Sequence, residues 1–248
     1  TNTVVSVSDI TWEKLNPARG DESPQAATLW GDRNGTVPTG FLAKFVDGFS
    51  SPPHIHNATY RAVVISGLIH NDDPGAEDMW MPPGSFWTQP KGQVHITAAK
   101  GDYNLALVEI DMGPYLVLPP AEAFDSGERP INIDASNIVW VEANKMGSSR
   151  NAPKIAYLWG KQQEGQPNGT FVKLPEGFVG EIRAQGSTFR AVVITGQLKY
   201  FGVTNQALPP GSYFSSNDES LHQIASGEKA VTLYVRTNGE FEVKAQDP

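Results

Sequence analysis

Leu29-Trp30-Gly31 returns 129 residues later as Leu158-Trp159-Gly160, and it does not return alone. Gly40, Lys44, Gly48 and Phe49 recur at the same offset as Gly169, Lys173, Gly177 and Phe178. The run Tyr60-Arg61-Ala62-Val63-Val64-Ile65-Ser66-Gly67 recurs as Phe189-Arg190-Ala191-Val192-Val193-Ile194-Thr195-Gly196. Pro82-Pro83-Gly84-Ser85 returns as Pro209-Pro210-Gly211-Ser212 at an offset of 127, so one loop has lost two residues. Ile10-Thr11-Trp12 and Ile138-Val139-Trp140 open the two copies. A series matched at nearly constant offset specifies two homologous domains of roughly 115 residues, each with a core to bury.

Within each copy, short runs of β-type residues alternate with turns, as at Arg61–Ile65, Leu105–Ile110, Arg190–Ile194 and Ala230–Val235. The chain holds 24 Gly and 19 Pro, both poor in helix interiors, and no sustained 3.6-residue apolar period. An all-β chain of two small antiparallel barrels or sandwiches is expected, with residues 1–118 as the first domain, 119–136 as a connector and 137–248 as the second. The connector carries one helical turn signal, at Pro120–Phe124.

The net charge is −8 and no Lys/Arg block is present, which argues against nucleic acid and anionic membranes as partners. No apolar run nears the roughly 18 residues of a membrane-spanning helix. Cysteine is absent, which removes disulfides, thiolate nucleophiles and Cys-ligated metals. The first residue is Thr1, which fits either a trimmed Met or a cleaved signal peptide, so the compartment, cytoplasmic or exported, stays open.

Five histidines remain to be explained: His54, His56, His70, His95 and His222. Alternate residues of a strand point to one face, so His54 and His56 can converge on one ion. Imidazole is the commonest neutral metal ligand, and three imidazoles leave coordination positions open. His95 stands in the frame Gly84-x5-Pro90-x-Gly92-x2-His95, and the first pair in His54-x-His56-x3-Tyr60-x6-Gly67. Together these frames resemble the two signature motifs of the cupin superfamily. That resemblance implies two tandem jelly-roll β-barrels, a bicupin, with a divalent metal in the mouth of the first.

Two positions depart from the superfamily pattern. Tyr60 stands where most cupins place a ligating Glu, and Ala99 where an Asn is common. The remaining set, His54, His56 and His95, is similar to three-His cupins such as acetylacetone dioxygenase, cysteine dioxygenase and the cupin domain of zinc-dependent anti-sigma factors. Without a carboxylate the ion keeps its full 2+ charge, which suits an anionic chelating substrate. The plainer alternative is three structural histidines. His70 lies outside both motifs and reads as structural or surface.

Applying the repeat offsets, His54 corresponds to Arg183, His56 to Gln185, Tyr60 to Phe189 and His95 to His222. Arg does not ligate such metals and Gln seldom does, so the second copy is expected to be metal-free. It then serves either as a vestigial barrel or, through Arg183 and His222, as a site for a carboxylate or phosphate. Glu109 and Asp111 share one parity of a strand; if that parity faces inward, Glu109 could act as a general base, and otherwise it lies on a solvated face. Tyr60 reads as a proton-handling donor or as an aromatic wall. Met79, Trp80, Phe86 and Trp87 flank the second motif and read as pocket wall or plain core.

The function that follows from the resemblance is a mononuclear non-haem metal enzyme of the dioxygenase type. His54, His56 and His95 would hold Fe(II), with Zn, Mn or Ni as alternatives, and Tyr60 and Glu109 would be catalytic. The substrate would be a small anionic or dicarbonyl molecule. A zinc- or ligand-binding sensor without turnover, or a Lewis-acid hydrolase or isomerase, are the other readings. Exposed sheet edges leave room for a homodimer.

Overall fold

The repeated residues recur because each does the same work twice. The indole of Trp30 lies so close over Gly40, on the neighbouring strand, that a Cβ there would collide with it, and Trp159 lies over Gly169 in the same way. Lys44 Nζ sits 4.1 Å above the Trp12 ring, and Lys173 Nζ sits 4.2 Å above Trp140. Such cation–π contacts tie the opening of each copy to its own sheet.

A computed structural model describes residues 1–143 and 152–246. Nearly all its regular structure is strand, and the helical pieces among the described residues are four 3₁₀ turns, Val7–Asp9, Pro17–Glu22, Pro120–Glu122 and Ala135–Asn137. The third falls where the helical turn was expected. Three of the strand runs expected from sequence lie inside the strands Tyr60–Asp72, Ile96–Ile110 and Thr188–Thr195, and the fourth, Ala230–Val235, falls in Val231–Thr237 but for its first residue. Two compact units emerge, one of Ile10–Ile138 and one of Thr1–Asp9 with Val139–Pro248.

In the first unit, seven antiparallel strands run in the order Ile131–Ile133, Phe86–Gln89, Tyr60–Asp72, Ile96–Ile110, Thr39–Phe45, Gln25–Trp30 and Glu13–Lys14. The two long strands shift register between Val64 and Leu68, where Gly67 takes a φ of +77° that only glycine adopts without strain. Beyond the shift, Leu68–Asp72 pairs with Ile96–Lys100. Ser50 bridges to Ala98 within that stretch, and His54 bridges to His95, the residue just before it. A core of Phe41, Tyr60, Ala62, Val64, Ile69, Met81, Trp87, Val108 and Ile110, with smaller neighbours, fills the inner face.

The second unit holds a seven-stranded and a four-stranded antiparallel sheet. Its core includes Ile182, Ala184, Phe189, Leu198, Phe214 and Val243.

The arms differ from the expected boundaries. Thr3–Val5 pairs with Tyr213–Ser215, so the first nine residues belong to the second unit. Ile131–Ile133 pairs with Phe86–Thr88, and Val117–Leu118 with Ile55–His56, so the expected connector is part of the first unit. The two arms are themselves equivalent: Val7 N–H donates to Ser212 Oγ as Ala135 N–H donates to Ser85 Oγ. A three-residue strand has too short a period for the sequence to announce its partner.

Candidate metal centre

His54 and His95 face each other as an isolated antiparallel bridge, with N–H to C=O bonds of 3.1 and 3.0 Å in the two directions. His56 lies two residues on, in the short strand Ile55–His56. The alternation expected of an H-x-H pair holds, and it brings the two rings together at 4.8 Å between centroids. His95 lies 4.3 Å from His54 and 5.0 Å from His56. One nitrogen from each ring can be chosen so that all three lie within 4.8 Å of one another.

Backbone carbonyls fix which nitrogen that is. His54 Nδ1 is 2.8 Å from Pro52 O, His56 Nδ1 is 2.9 Å from Leu116 O, and His95 Nδ1 is 3.0 Å from Gln93 O. A carbonyl only accepts, so each Nδ1 carries the proton and each Nε2 keeps its lone pair. His54 Nε2 and His56 Nε2 approach to 3.2 Å, and His95 Nε2 is buried without a hydrogen-bond partner. A buried imidazole nitrogen left without a partner is costly unless something else occupies its lone pair.

Burial keeps all three rings neutral, as ligands must be. It lowers the pKa of His54 and holds that of His56 well below the ordinary value, with the neighbouring His95 and His54 adding to the latter. Burial, with His54 second, brings His95 down to about 3. Neutral imidazoles with converging lone pairs fit a divalent metal ion.

Tyr60 and Glu109 take places other than those of proton-handling groups at this centre. The Tyr60 ring stands edge-on to His56 at 5.5 Å, and its hydroxyl donates to Asn71 Oδ1 at 2.9 Å while accepting from Trp87 Nε1 at 3.1 Å. Asn71 in turn bonds Gln89 and Thr97, which closes a buried polar network. Burial pushes the Tyr60 pKa further up. The ring of Tyr60, and not its hydroxyl, is what meets His56. Glu109 is only 1% exposed, so it does not lie on a solvated face. It alternates with Val108 and Ile110, which face the core, and meets Arg61 at 3.5 Å on the opposite face of the strand. That parity corrects the expected general base: Glu109 points away from the face that carries Tyr60.

His70 is buried, accepts a bond from Met79 N–H, and stands outside the trio. Met79 packs on the inner core, and Trp87 lies within it.

Tyr115 is the residue that sequence reasoning missed. Its ring stacks on His56 at 4.6 Å and meets Phe41 edge-on at 5.2 Å, and its hydroxyl lies 3.4 Å from His56 Nε2. Burial raises its pKa, with Tyr60 adding to the effect. It belongs to no motif, and the only signal for it was an aromatic in a stretch otherwise rich in Pro and acidic residues.

Among the described residues no second three-His group stands in the second copy, and the correspondence between the copies differs from the one the offsets suggested. His222 pairs with Ile182, not with Arg183. The residues equivalent to His54 and His56 are therefore Ile182 and Ala184, both fully buried. Arg183 points outward toward Glu181 and Glu219, so it cannot share an anion with the buried His222. His222 is held by Tyr200 Oη at 2.6 Å on Nδ1 and by Ser216 Oγ at 2.8 Å on Nε2.

A duplicated antiparallel β chain with three converging imidazoles in its first copy is a cupin-fold protein of the bicupin kind, carrying a candidate three-His metal centre. The chain belongs to the family DUF4437, a domain of unknown function, whose model matches residues 3–244. Among solved structures it is similar to the "putative dioxygenase" of Nostoc punctiforme, with 13% identity, 100% of this chain and 87% of that chain covered, and a TM-score of 0.73. It is also similar to salicylate 1,2-dioxygenase of Pseudoaminobacter salicylatoxidans (14% identity, 100% and 86% covered, TM-score 0.57). A third neighbour is the 11S globulin of Wrightia tinctoria (11% identity, 98% and 85% covered, TM-score 0.56). No curated protein matches the chain by sequence. At such identities the likeness speaks to fold, and function has to be argued from the site.

Proposed function

We propose that this chain is a mononuclear metal enzyme of the dioxygenase type, acting on a small anionic or dicarbonyl compound at the centre formed by His54, His56 and His95. The observation that carries the reading is the convergence of three Nε2 lone pairs, each set by a carbonyl on Nδ1, one of them buried without a hydrogen-bond partner. Bound there, a divalent ion, Fe(II) before Zn, Mn or Ni, would supply Lewis acidity and, as iron, reactivity toward dioxygen.

The chain's own residues do the rest. Pro52, Gln93 and Leu116 hold the three rings in the Nδ1–H tautomer. Tyr60, Tyr115 and Phe41 wall the centre and exclude water from one side of it. The Tyr115 hydroxyl, 3.4 Å from His56 Nε2, is our candidate donor to a substrate oxygen at the centre, one of the two roles expected of Tyr60. With no protein carboxylate in the set, an anionic substrate meets an uncompensated positive centre.

The test is reconstitution of metal-free protein with Fe(II) under anaerobic conditions, followed by oxygen uptake over a panel of dicarbonyls and phenolic acids. Uptake in the iron form, absent in His95→Ala, supports the reading. Tight zinc binding with no uptake in any metal form would favour a sensor or a Lewis-acid hydrolase or isomerase instead.

A further inference from the structure

The ladder that pairs Ile55 with Leu118 and His56 with Val117 stops at His56. The next residue, Asn57, completes it with its side chain. Asn57 Nδ2 donates to Pro114 O at 2.8 Å, and Asn57 Oδ1 accepts from Leu116 N–H at 2.9 Å. The two bonds grip both sides of Tyr115. One needs a donor and the other an acceptor, and a carboxamide supplies both where a carboxylate cannot.

Leu116 and Tyr115 both act on His56. The Leu116 carbonyl takes the His56 Nδ1 proton at 2.9 Å, and the Tyr115 ring stacks on the imidazole with its hydroxyl toward Nε2. Tyr115 is fixed by its ring on the core and by its N–H, which donates to Arg33 O at 2.9 Å, but Leu116 and Val117 are exposed, so at Leu116 the polar grip of Asn57 is what holds the chain. We infer that Asn57 is a positioning residue that latches residues 114–116 onto the strand bearing His56, setting the tautomer of that ring and the place of the Tyr115 hydroxyl. The inference deepens the proposed metal-centre reading and rests on it only for its effect on affinity.

The test compares wild type, Asn57→Ala, Asn57→Asp and the neighbouring control Thr59→Val, all as full-length protein. In the metal-free state, long-range ¹H–¹⁵N correlation of the imidazoles reads the His56 tautomer, and amide exchange reads Leu116. Co(II) titration then reads affinity. In wild type we expect a single Nδ1–H tautomer. In Asn57→Ala we expect a tautomer mixture, faster Leu116 exchange, and Co(II) affinity about 10- to 100-fold weaker, the range for loss of an outer support to a ligand. Asn57→Asp keeps the acceptor alone and falls between, and it carries the test if the alanine variant does not fold. Thr59→Val resembles wild type. A single Nδ1–H tautomer and wild-type affinity in Asn57→Ala would overturn the inference. If wild type binds no Co(II), the metal-centre reading fails separately, and the tautomer spectra still decide the latch.

Discussion

His95 and His222 occupy the same place in two copies of one sequence, and they lead opposite lives. His222 spends both ring nitrogens on hydroxyls, Tyr200 and Ser216, and packs against Phe189 and Phe214. His95 spends one nitrogen on a carbonyl and leaves the other buried without a hydrogen bond, beside two more imidazoles. Around His222 stand Ile182 and Ala184; around His95 stand His54 and His56. The difference teaches that a buried histidine becomes a ligand through what its neighbours leave unsatisfied, more than through its own position.

The comparison can be broken most sharply by deletion. His95→Ala should lower metal affinity by more than about 100-fold, beyond the range for loss of an outer support, while His222→Phe leaves it unchanged. Calorimetric titration with Zn(II) checks both, and equal losses in the two variants would erase the distinction. His222→Phe should instead cost stability, about 1–3 kcal/mol in urea unfolding, because Ser216 and Tyr200 each lose a buried partner.

Acid sharpens the contrast. Burial brings His222 down to about 4, below the 6.5 of an ordinary imidazole. A base whose folded-state pKa is lowered binds fewer protons when folded. Its contribution is whole above 6.5 and is lost as pH falls toward 4. The deficit of His222→Phe relative to wild type should therefore narrow between pH 6.5 and 4, by at most about 1.4 kcal/mol per pH unit. A deficit constant across that range would mean the ring is not buried neutral.

The smallest effect concerns Tyr60, which the second copy replaces with Phe189. Tyr60→Phe takes a hydrogen bond from Asn71 and Trp87, costing about 1 kcal/mol of stability, and should leave metal affinity within a few-fold of wild type. A large loss of affinity would return the hydroxyl to the centre.

The trio was legible in the sequence because its frames combine histidines with the Gly and Pro that shape the turns around them. The repeat itself was legible because Trp30 over Gly40 and Trp159 over Gly169 tolerate no side chain at the glycine. Glu109 was misplaced because both faces of its strand are buried, Leu105 and Leu107 on one and Ala106 and Val108 on the other, so alternation alone could not say which faces the site. Arg183 was misassigned by one residue because the pairing of the first copy slips by one between Ser50↔Ala98 and His54↔His95, whereas the second runs without a slip from Val179↔Ala225 to Ile182↔His222, and the offset is restored before Tyr60 and Phe189, where it was read. The carbonyls of Pro52, Gln93 and Leu116 carry no side-chain signal, and Tyr115 reaches His56 only once a segment read largely as connector folds back along Ile55–His56.

Metal content per chain tests the central distinction most directly. After reconstitution with Fe(II) or Zn(II) and removal of excess ion, elemental analysis should find one equivalent in wild type and in His222→Phe, and none in His95→Ala. Two equivalents in wild type, none in wild type, or one retained by His95→Ala would contradict the assignment of a single three-histidine centre to the first copy.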